Sequence, residues 1–490
     1  MSFDQIPITL RTPGAFVEVD STVAQSNVGT FPFKALLIGQ RTTAGTVAQL
    51  IVKSTTSALQ AREEHGPGSI SHLFAEAFIA ENPLTSLDVA SIDDLPGGVA
   101  AAGRLAFGGT IANPGTSIFY VSGTRILVAC LTDLSTCATN LAAAINAVTG
   151  LPVTAAVGTP TSAVVVTAKN DGVAGNRIDL RINHLPGEEL PPGLTMTISA
   201  MGIETAGSGD AVISDVFAAI SGVHYDVICH AWPHDTANLD LMETEMAARA
   251  DALVGQQGVV LLCHSGTHSA LVAVGNARND EFASMAGVES FPGWDIVRGA
   301  SIAGQAARFL ELDPVRPLTG RRKLRGFGPS DSAKFTDSER DLLLHDGMST
   351  LRYDRGNKAE IERLVTMYQQ TTGGSPDEAF LDVQTMFGLS FVRRSYVAFM
   401  ERQYPNHKLA IDGTPIASGS PTVTPQIAKG EASGWYAGLV REGICEDLAT
   451  FKAQSVFQIS GTDPNRLEAF LAINFVNQLR VIAVKLQFKR

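Results

Sequence analysis

Apolar runs of strand length recur along the chain: Phe33–Gly39, Leu87–Ile92, Tyr225–His230 and Gly258–His264. The last two are nearly continuous, as in strands covered on both faces. Between such runs the apolar period changes to that of a helix. Ile70, Leu73, Phe74, Ala77 and Phe78 share one face, which predicts a helix over Ile70–Ala80. Helical patterning also covers Val212–Ile220 and Asn238–Val254. The order strand, helix, strand from Tyr225 to His264 predicts a parallel pair with a right-handed crossover. The fold class expected is therefore an α/β core, a central mixed or largely parallel sheet with flanking helices.

The pattern is interrupted between Gly97 and Met201, where Gly, Ala, Thr and Val dominate and only short strands are expected. Candidates are Arg104–Ile111, Ser117–Val121, Ile126–Cys130, Pro152–Val157, Ala163–Ala168 and Leu194–Ala200. One amphipathic helix, Ser135–Val148, presents Ala138, Leu141, Ala142 and Ile145. Gly- and Pro-rich flanks suggest a small α+β domain inserted into a surface loop. The domains expected are an extended N-terminal arm (1–30), the first part of the core (31–97), a peripheral insertion (98–202), the second part of the core (203–334), a C-terminal α/β domain (335–478) and a C-terminal β arm (479–490).

Helix starts are marked in the last third. Thr336-Asp-Ser-Glu339 and Ser375-Pro-Asp-Glu378 have the form of capping boxes, and Thr424-Pro425 and Asp463-Pro464 pair a cap with Pro at the first helical position. The helix from Ser375 is expected to run to about Glu401. The chain closes on an alternating stretch in which Arg480, Ile482, Val484, Leu486 and Phe488 fall on one face, which predicts a strand. A strong apolar strand at a terminus is an edge hazard unless something pairs with it. At the other end, Arg11-Thr-Pro-Gly-Ala-Phe16-Val17-Glu-Val19-Asp20 is a turn followed by a short β-prone stretch, with Ser, Gln, Asn and Gly beyond it as a hinge.

Composition narrows the function. At 490 residues the chain exceeds one ordinary hydrophobic core, so two or three domains are expected. The charged fraction, 18%, is below the usual quarter and suits a protein that buries surface against copies of itself. A net charge of −12 argues against nucleic acid, and the basic cluster Arg321-Arg322-Lys323 with Arg325 is short enough for a solvated or partner-facing loop. No run approaches the ~20 apolar residues that span a bilayer. With no apolar signal core either, neither membrane insertion nor export is expected, and the chain stays in the cytoplasm. Cys130, Cys137, Cys229, Cys263 and Cys445 are expected as reduced, mostly buried thiols.

Catalytic motifs are sparse. The chain has no P-loop, no His-Glu-x-x-His and no Gly-x-Ser-x-Gly. Two His-x-x-x-His spacings, His230/His234 and His264/His268, begin at the carboxyl ends of predicted parallel strands, where α/β proteins bind ligands. Four imidazoles converging there would suit zinc. Ser265 or Ser269 with one of these histidines and Asp235 could form a Ser-His-Asp set. Such a set is recognised by geometry rather than by residue types, so an α/β hydrolase or metallohydrolase stands as the alternative. The expectation for this chain is no enzyme activity, no cofactor and no metal.

Several stretches resemble the tail sheath proteins of Mu-like contractile phages. They are the arm Arg11–Asp20 with the strand Ala35–Gly39; the insertion through Asn140-Leu-Ala-Ala-Ala-Ile-Asn146, Leu151-Pro-Val-Thr-Ala155, Val166-Thr-Ala-Lys169 and Gly175-Asn176; and Asp463-Pro-Asn-Arg-Leu467 with the run to Phe488. The resemblance spans the chain. It implies a subtilisin-like core without protease activity, and a virion protein assembled in the host cytoplasm. It implies hexameric rings stacked helically around an inner tail tube, with baseplate and tail terminator proteins as further partners, and a contraction that drives the tube through the host envelope. It also implies strand exchange between subunits, here through Phe16, Val17 and Val19 and through Ile482, Val484, Leu486 and Phe488. A tail tube or other phage structural protein is a further possibility, less fitting because tube subunits are usually shorter.

Overall fold

The apolar runs become the middle of a single large sheet. In the computed structural model, which describes residues 31–488 apart from 132, 321 and 322, eight strands lie in the spatial order 359–363, 348–353, 283–288, 259–265, 227–230, 34–40, 86–92, 52–54. The six inner strands are parallel. Ala35–Ile38 pairs in register with Val227–His230, and Lys34–Gln40 with Ser86–Ile92. The edge strands Val52–Ser54 and Ala359–Arg363 pair antiparallel. The strands 227–230 and 283–288 are buried along their whole length, as is 259–265 up to Ser265, because helices cover both faces of the sheet. This is the α/β sheet with flanking helices expected from the pattern.

Helices begin where capping side chains stand. Ser69 accepts from the backbone N–H of His72 and starts Ile70–Glu81. Asp235 accepts from Ala237 and starts Thr236–Ala250. Thr336 and Glu339 form both bonds of a capping box and start Asp337–His345. The helix Asp295–Leu310 is the most deeply buried, and two glycines allow it. A Cβ at Gly299 would stand 3.1 Å from the backbone nitrogen of Cys263, and one at Gly304 would stand 2.8 Å from the carbonyl oxygen of Phe78. Between Ile213 and Ile220 the expected helix is only a 3₁₀ turn followed by one α turn.

Residues 100–199 form antiparallel structure. A four-stranded sheet takes the order 194–199, 100–109, 163–171, 153–157, and a three-stranded sheet the order 124–130, 115–121, 180–182. The helix Leu134–Ala147 buries Ala138, Leu141, Ala142 and Ile145, its predicted face. Leu105, Phe119 and Val164 belong to the same contiguous hydrophobic core as the large sheet. Polar ties reinforce the junction: Trp294 Nε1 donates to Ala174 O (3.0 Å), and Lys169 Nζ donates to Pro67 O (3.0 Å).

Contacts divide the described chain into two units, residues 32–390 with 478–488 and residues 391–477 with Phe31. The large sheet takes strands from both sides of residue 335, and the division falls inside the helix Val383–Gln403. The smaller unit contains the helices Pro425–Arg441 and Leu448–Gln454 and a hairpin of Val456–Ile459 with Leu467–Phe470. Its core stacks Tyr436 on Phe451 at 4.0 Å between ring centroids. Thr424 caps the first helix, with Pro425 at its first position, as predicted.

Two other predicted helix starts are not used. Ser375 takes part in a turn, where Thr371 N donates to Ser375 O (2.9 Å) and Gln370 bridges Pro376, while Asp377 accepts from Tyr368 Oη (2.6 Å). The helix therefore begins only at Val383. Asp463 accepts from the N–H of Asn465 (2.9 Å) in a tight turn, and the antiparallel partner Val456–Ile459 takes Leu467–Phe470 as a strand. An Asp or Ser before Pro serves a turn as readily as a helix cap, so the pattern alone did not distinguish them. The five cysteines are free and buried. Among the described residues, no helix is long and apolar enough to cross a membrane.

Candidate functional site

The carboxyl ends of the parallel strands do gather polar side chains, but not the predicted set. His234 and His264 meet with ring centroids 4.2 Å apart. His230 turns away into the core. Its Nδ1 accepts from Trp232 N (3.2 Å), and burial, followed by the charge of Arg278, pushes its pKa down to about 3. His268 opens the helix His268–Asn276, and its Nε2 contacts Glu339 O (3.1 Å). The four imidazoles therefore do not converge. Between the two that meet lies a fixed cation: Arg177 Nε is 3.0 Å from His234 Nε2, and its Nη2 is 3.2 Å from His264 Nε2. A guanidinium there occupies the position a metal would need. Among the described residues, no group of three or more His, Cys, Asp or Glu side chains is arranged to hold one.

The carboxylate of the cluster is Asp295, not Asp235, which caps its own helix. Asp295 Oδ2 lies 3.1 Å from His234 Nε2 and accepts from both Ser265 N and Ser265 Oγ (2.9 Å each). Burial pushes its carboxyl up, but the charges and hydrogen bonds of His234, Arg177 and Ser265 outweigh that and hold it well below the usual carboxylate range. The Ser265 hydroxyl thus donates to a carboxylate whose ionised form is favoured, rather than to an imidazole. His264 is pushed down to about 3 by burial and by the neighbouring His234 and Arg177. A Ser-His-Asp relay needs the serine on an imidazole and the imidazole on the acid, and this arrangement omits the first link. Beside it opens a cleft of about 610 Å³, lined in part by Arg177, Ser265, Thr267, Glu289, Lys334 and Phe335.

α/β sheets commonly bind ligands where strand order reverses, here between Lys34–Gln40 and Val227–His230. On the side of Lys34–Gln40 toward Ser86–Ile92, Gln40 Nε2 donates to Asp94 Oδ1 (2.7 Å) and Asp171 O (2.9 Å), and Asn170 Nδ2 donates to Arg41 O (2.9 Å). Neither Arg177 nor Asp295 was marked by the sequence. Each lies far along the chain from the histidines it meets, and the one available signal was an acid in the first turn of an apolar helix.

The C-terminal segment is different in kind. Among the described residues, from Leu471 to Phe488 only Phe475 makes a ladder contact, an isolated bridge to Cys445. The predicted terminal strand has no ladder partner among the described residues. Its apolar face is open: Ile482 is 75% exposed, Val484 72%, Leu486 89% and Phe488 85%. Phe16, Val17 and Val19, along with Arg321 and Arg322, lie outside the described residues. Lys323 pairs with Asp354.

The strand-end polar groups of this α/β body pair with one another, and its terminal segment carries an exposed apolar face. Comparison with known proteins gives the class. Residues 206–367 match the phage tail sheath protein central domain. The Mu-like prophage FluMu tail sheath protein of Haemophilus influenzae is 30% identical, with 100% of this chain and 99% of that protein covered. Two solved structures also overlay. The sheath tail protein of Desulfitobacterium hafniense is 13% identical, with 95% and 97% coverage and a TM-score of 0.49. The sheath complex of an extracellular contractile injection system in its contracted state is 9% identical, with 99% of each chain covered and a TM-score of 0.48. The chain belongs to the phage tail sheath family, and is a sheath subunit of a contractile phage or phage-like particle.

Proposed function

We propose that the chain assembles into hexameric rings stacked helically around an inner tail tube, and that contraction of the stack drives the tube through the host envelope and ejects the genome. Baseplate and tail terminator proteins meet the two ends of the stack, and assembly takes place in the host cytoplasm. No nucleotide is needed, because the energy is stored in interfaces that differ between the extended and contracted packings. Neighbours are joined by exchanged strands, Phe16, Val17 and Val19 at one end of the chain and Ile482, Val484, Leu486 and Phe488 at the other. The inserted segment 98–202 lies at the periphery.

The observation that carries this reading is the exposed alternating face of residues 482–488. Four large apolar side chains on one face of a segment with no ladder partner among the described residues suit an uncompleted ladder. The hairpin Val456–Ile459/Leu467–Phe470, with Val456 and Phe470 exposed, offers ladder edges of the kind an incoming strand extends. Electron microscopy of the purified chain tests the reading. Long hollow tubes or stacked rings are expected from the full chain, and loss of tubes with a folded body after removal of Val481–Arg490. A monodisperse monomer at high concentration, or tubes that survive the truncation, contradicts it.

A further inference from the structure

The C-terminal segment leaves its body at one charged residue. Arg480 Nη2 lies 2.7 Å from Asp382 Oδ1 and also donates to Gln384 Oε1 (3.4 Å) and to Gln478 Oε1. Asp382 is already paired, because Arg363 Nε reaches its Oδ1 at 3.0 Å and Arg363 Nη2 reaches its Oδ2 at 3.2 Å. That two-point clasp closes the edge of the large sheet, since Arg363 ends the strand Ala359–Arg363 and Asp382 bridges to Val365 just before the helix Val383–Gln403.

One carboxylate therefore meets two guanidiniums. The body's charge is balanced by Arg363 alone. A second cation in a partly buried site adds desolvation and repulsion from the first. What Arg480 adds is position. Its side chain is 16% exposed, whereas Val481, the next residue, is 81% exposed. Burial disfavours its charged form, Asp382 favours it, and Arg363 disfavours it again.

We propose that the Arg480–Asp382 contact is the anchor from which the C-terminal arm departs, setting its reach and direction toward a second copy of this chain. The proposal rests on the strand-exchange reading above. Beyond Arg480 ten residues remain, which span about 33 Å when extended. Without the anchor, the nearest backbone hydrogen bond upstream is Val476 N to Ile444 O. The tether then lengthens to fourteen residues, about 46 Å, and its direction is lost. A longer, undirected tether lowers the effective concentration of the arm at its acceptor, and the ordering of the freed residues falls on each binding event. The critical concentration for assembly should rise about five-fold.

The test compares the full chain, Arg480→Ala, Arg480→Lys and a chain ending at Arg480. Critical concentration is measured by pelleting, tube uniformity by electron microscopy, and Tm on the unassembled subunit. Arg480→Ala should keep the wild-type Tm, because the Arg363–Asp382 clasp remains, yet assemble only at the higher concentration and into tubes of mixed width. Arg480→Lys, which keeps one charged contact, should recover part of the loss. Uniform tubes from Arg480→Ala at the wild-type concentration overturn the anchor. So does a large fall in Tm, which makes the contact merely structural. The chain ending at Arg480 separates the two ideas. If it fails to assemble, strand exchange stands and Arg480→Ala decides the anchor; if it assembles, strand exchange itself fails and the anchor falls with it.

Discussion

Leu486 is the sharpest probe of the terminal strand. In the lone chain its side chain is 89% exposed, so removing it takes nothing from the folded body. In an exchanged strand it faces the same way as Ile482, Val484 and Phe488, toward whatever covers that face. Burying a leucine side chain is worth roughly 1.5–3 kcal/mol, so Leu486→Ser should cost about 2 kcal/mol for each subunit added. At about 1.4 kcal/mol per factor of ten, the critical concentration for tube formation should rise roughly 30-fold. Gln487 is the matched control, an exposed neighbour on the opposite face. Gln487→Ser should stay within about two-fold, since surface changes are usually worth less than ~0.5 kcal/mol. Pelleting against protein concentration gives both numbers, and thermal unfolding of the unassembled subunit should give the same Tm for all three chains. A Leu486→Ser chain that assembles at the wild-type concentration, or a Gln487→Ser chain impaired to the same degree, refutes a one-faced strand.

Three further outcomes follow from the body of the protein. Asp280 is buried and its pKa is pushed up to about 7, by burial and then by Glu243, although it accepts from the N–H of Phe282. Between its ordinary value near 4 and about 7 the native state holds a proton that the unfolded chain releases, so stability falls as pH rises. Asp280→Asn should therefore gain up to about 4 kcal/mol at pH 8 and nothing at pH 4, and a urea midpoint that gains equally at both pH values rules this out. Asp295→Ala leaves Arg177 and His234 without their carboxylate and should cost about 3–5 kcal/mol in urea unfolding at pH 7. Because the folded Asp295 pKa is depressed, its stabilisation is present above the ordinary aspartate value and is lost as pH falls toward the folded one, so the gap between wild type and variant should narrow in acid. Deleting residues 98–202 removes Leu105, Phe119 and Val164 from the shared core and the partner of Trp294 Nε1, so the excised chain should show low soluble yield and a lowered Tm. A wild-type Tm would mean that the two cores are separate.

Local pattern carried much of the fold. The helix Ile70–Glu81 lies within a residue of its predicted limits, the amphipathic helix Leu134–Ala147 buries its predicted face, and the strand Val259–Ser265 follows its apolar run. Each depends on spacing within a few turns or a few residues. The failures share a cause. Ser375 and Asp463 carry good cap chemistry, but that chemistry also closes turns, and the choice was made by Gln370 bridging Pro376 and by Val456–Ile459 pairing with Leu467–Phe470. The histidines at the strand ends were found, but their partners were not.

By itself the sequence determined the periodicities, the caps at Thr336 and Thr424, the absence of a nucleotide motif, and the apolar alternation that ends at Phe488. Those are properties of neighbouring residues and survive in any fold. Only the tertiary structure decided that Arg177 stands between His234 and His264, that Asp295 serves them in place of Asp235, and that Arg480 shares Asp382 with Arg363. It also decided that residues 481–488 find no ladder among the described residues. The physical reason is range. A helix period is set by covalent neighbours, whereas the company of a charge is set by residues many tens of positions away.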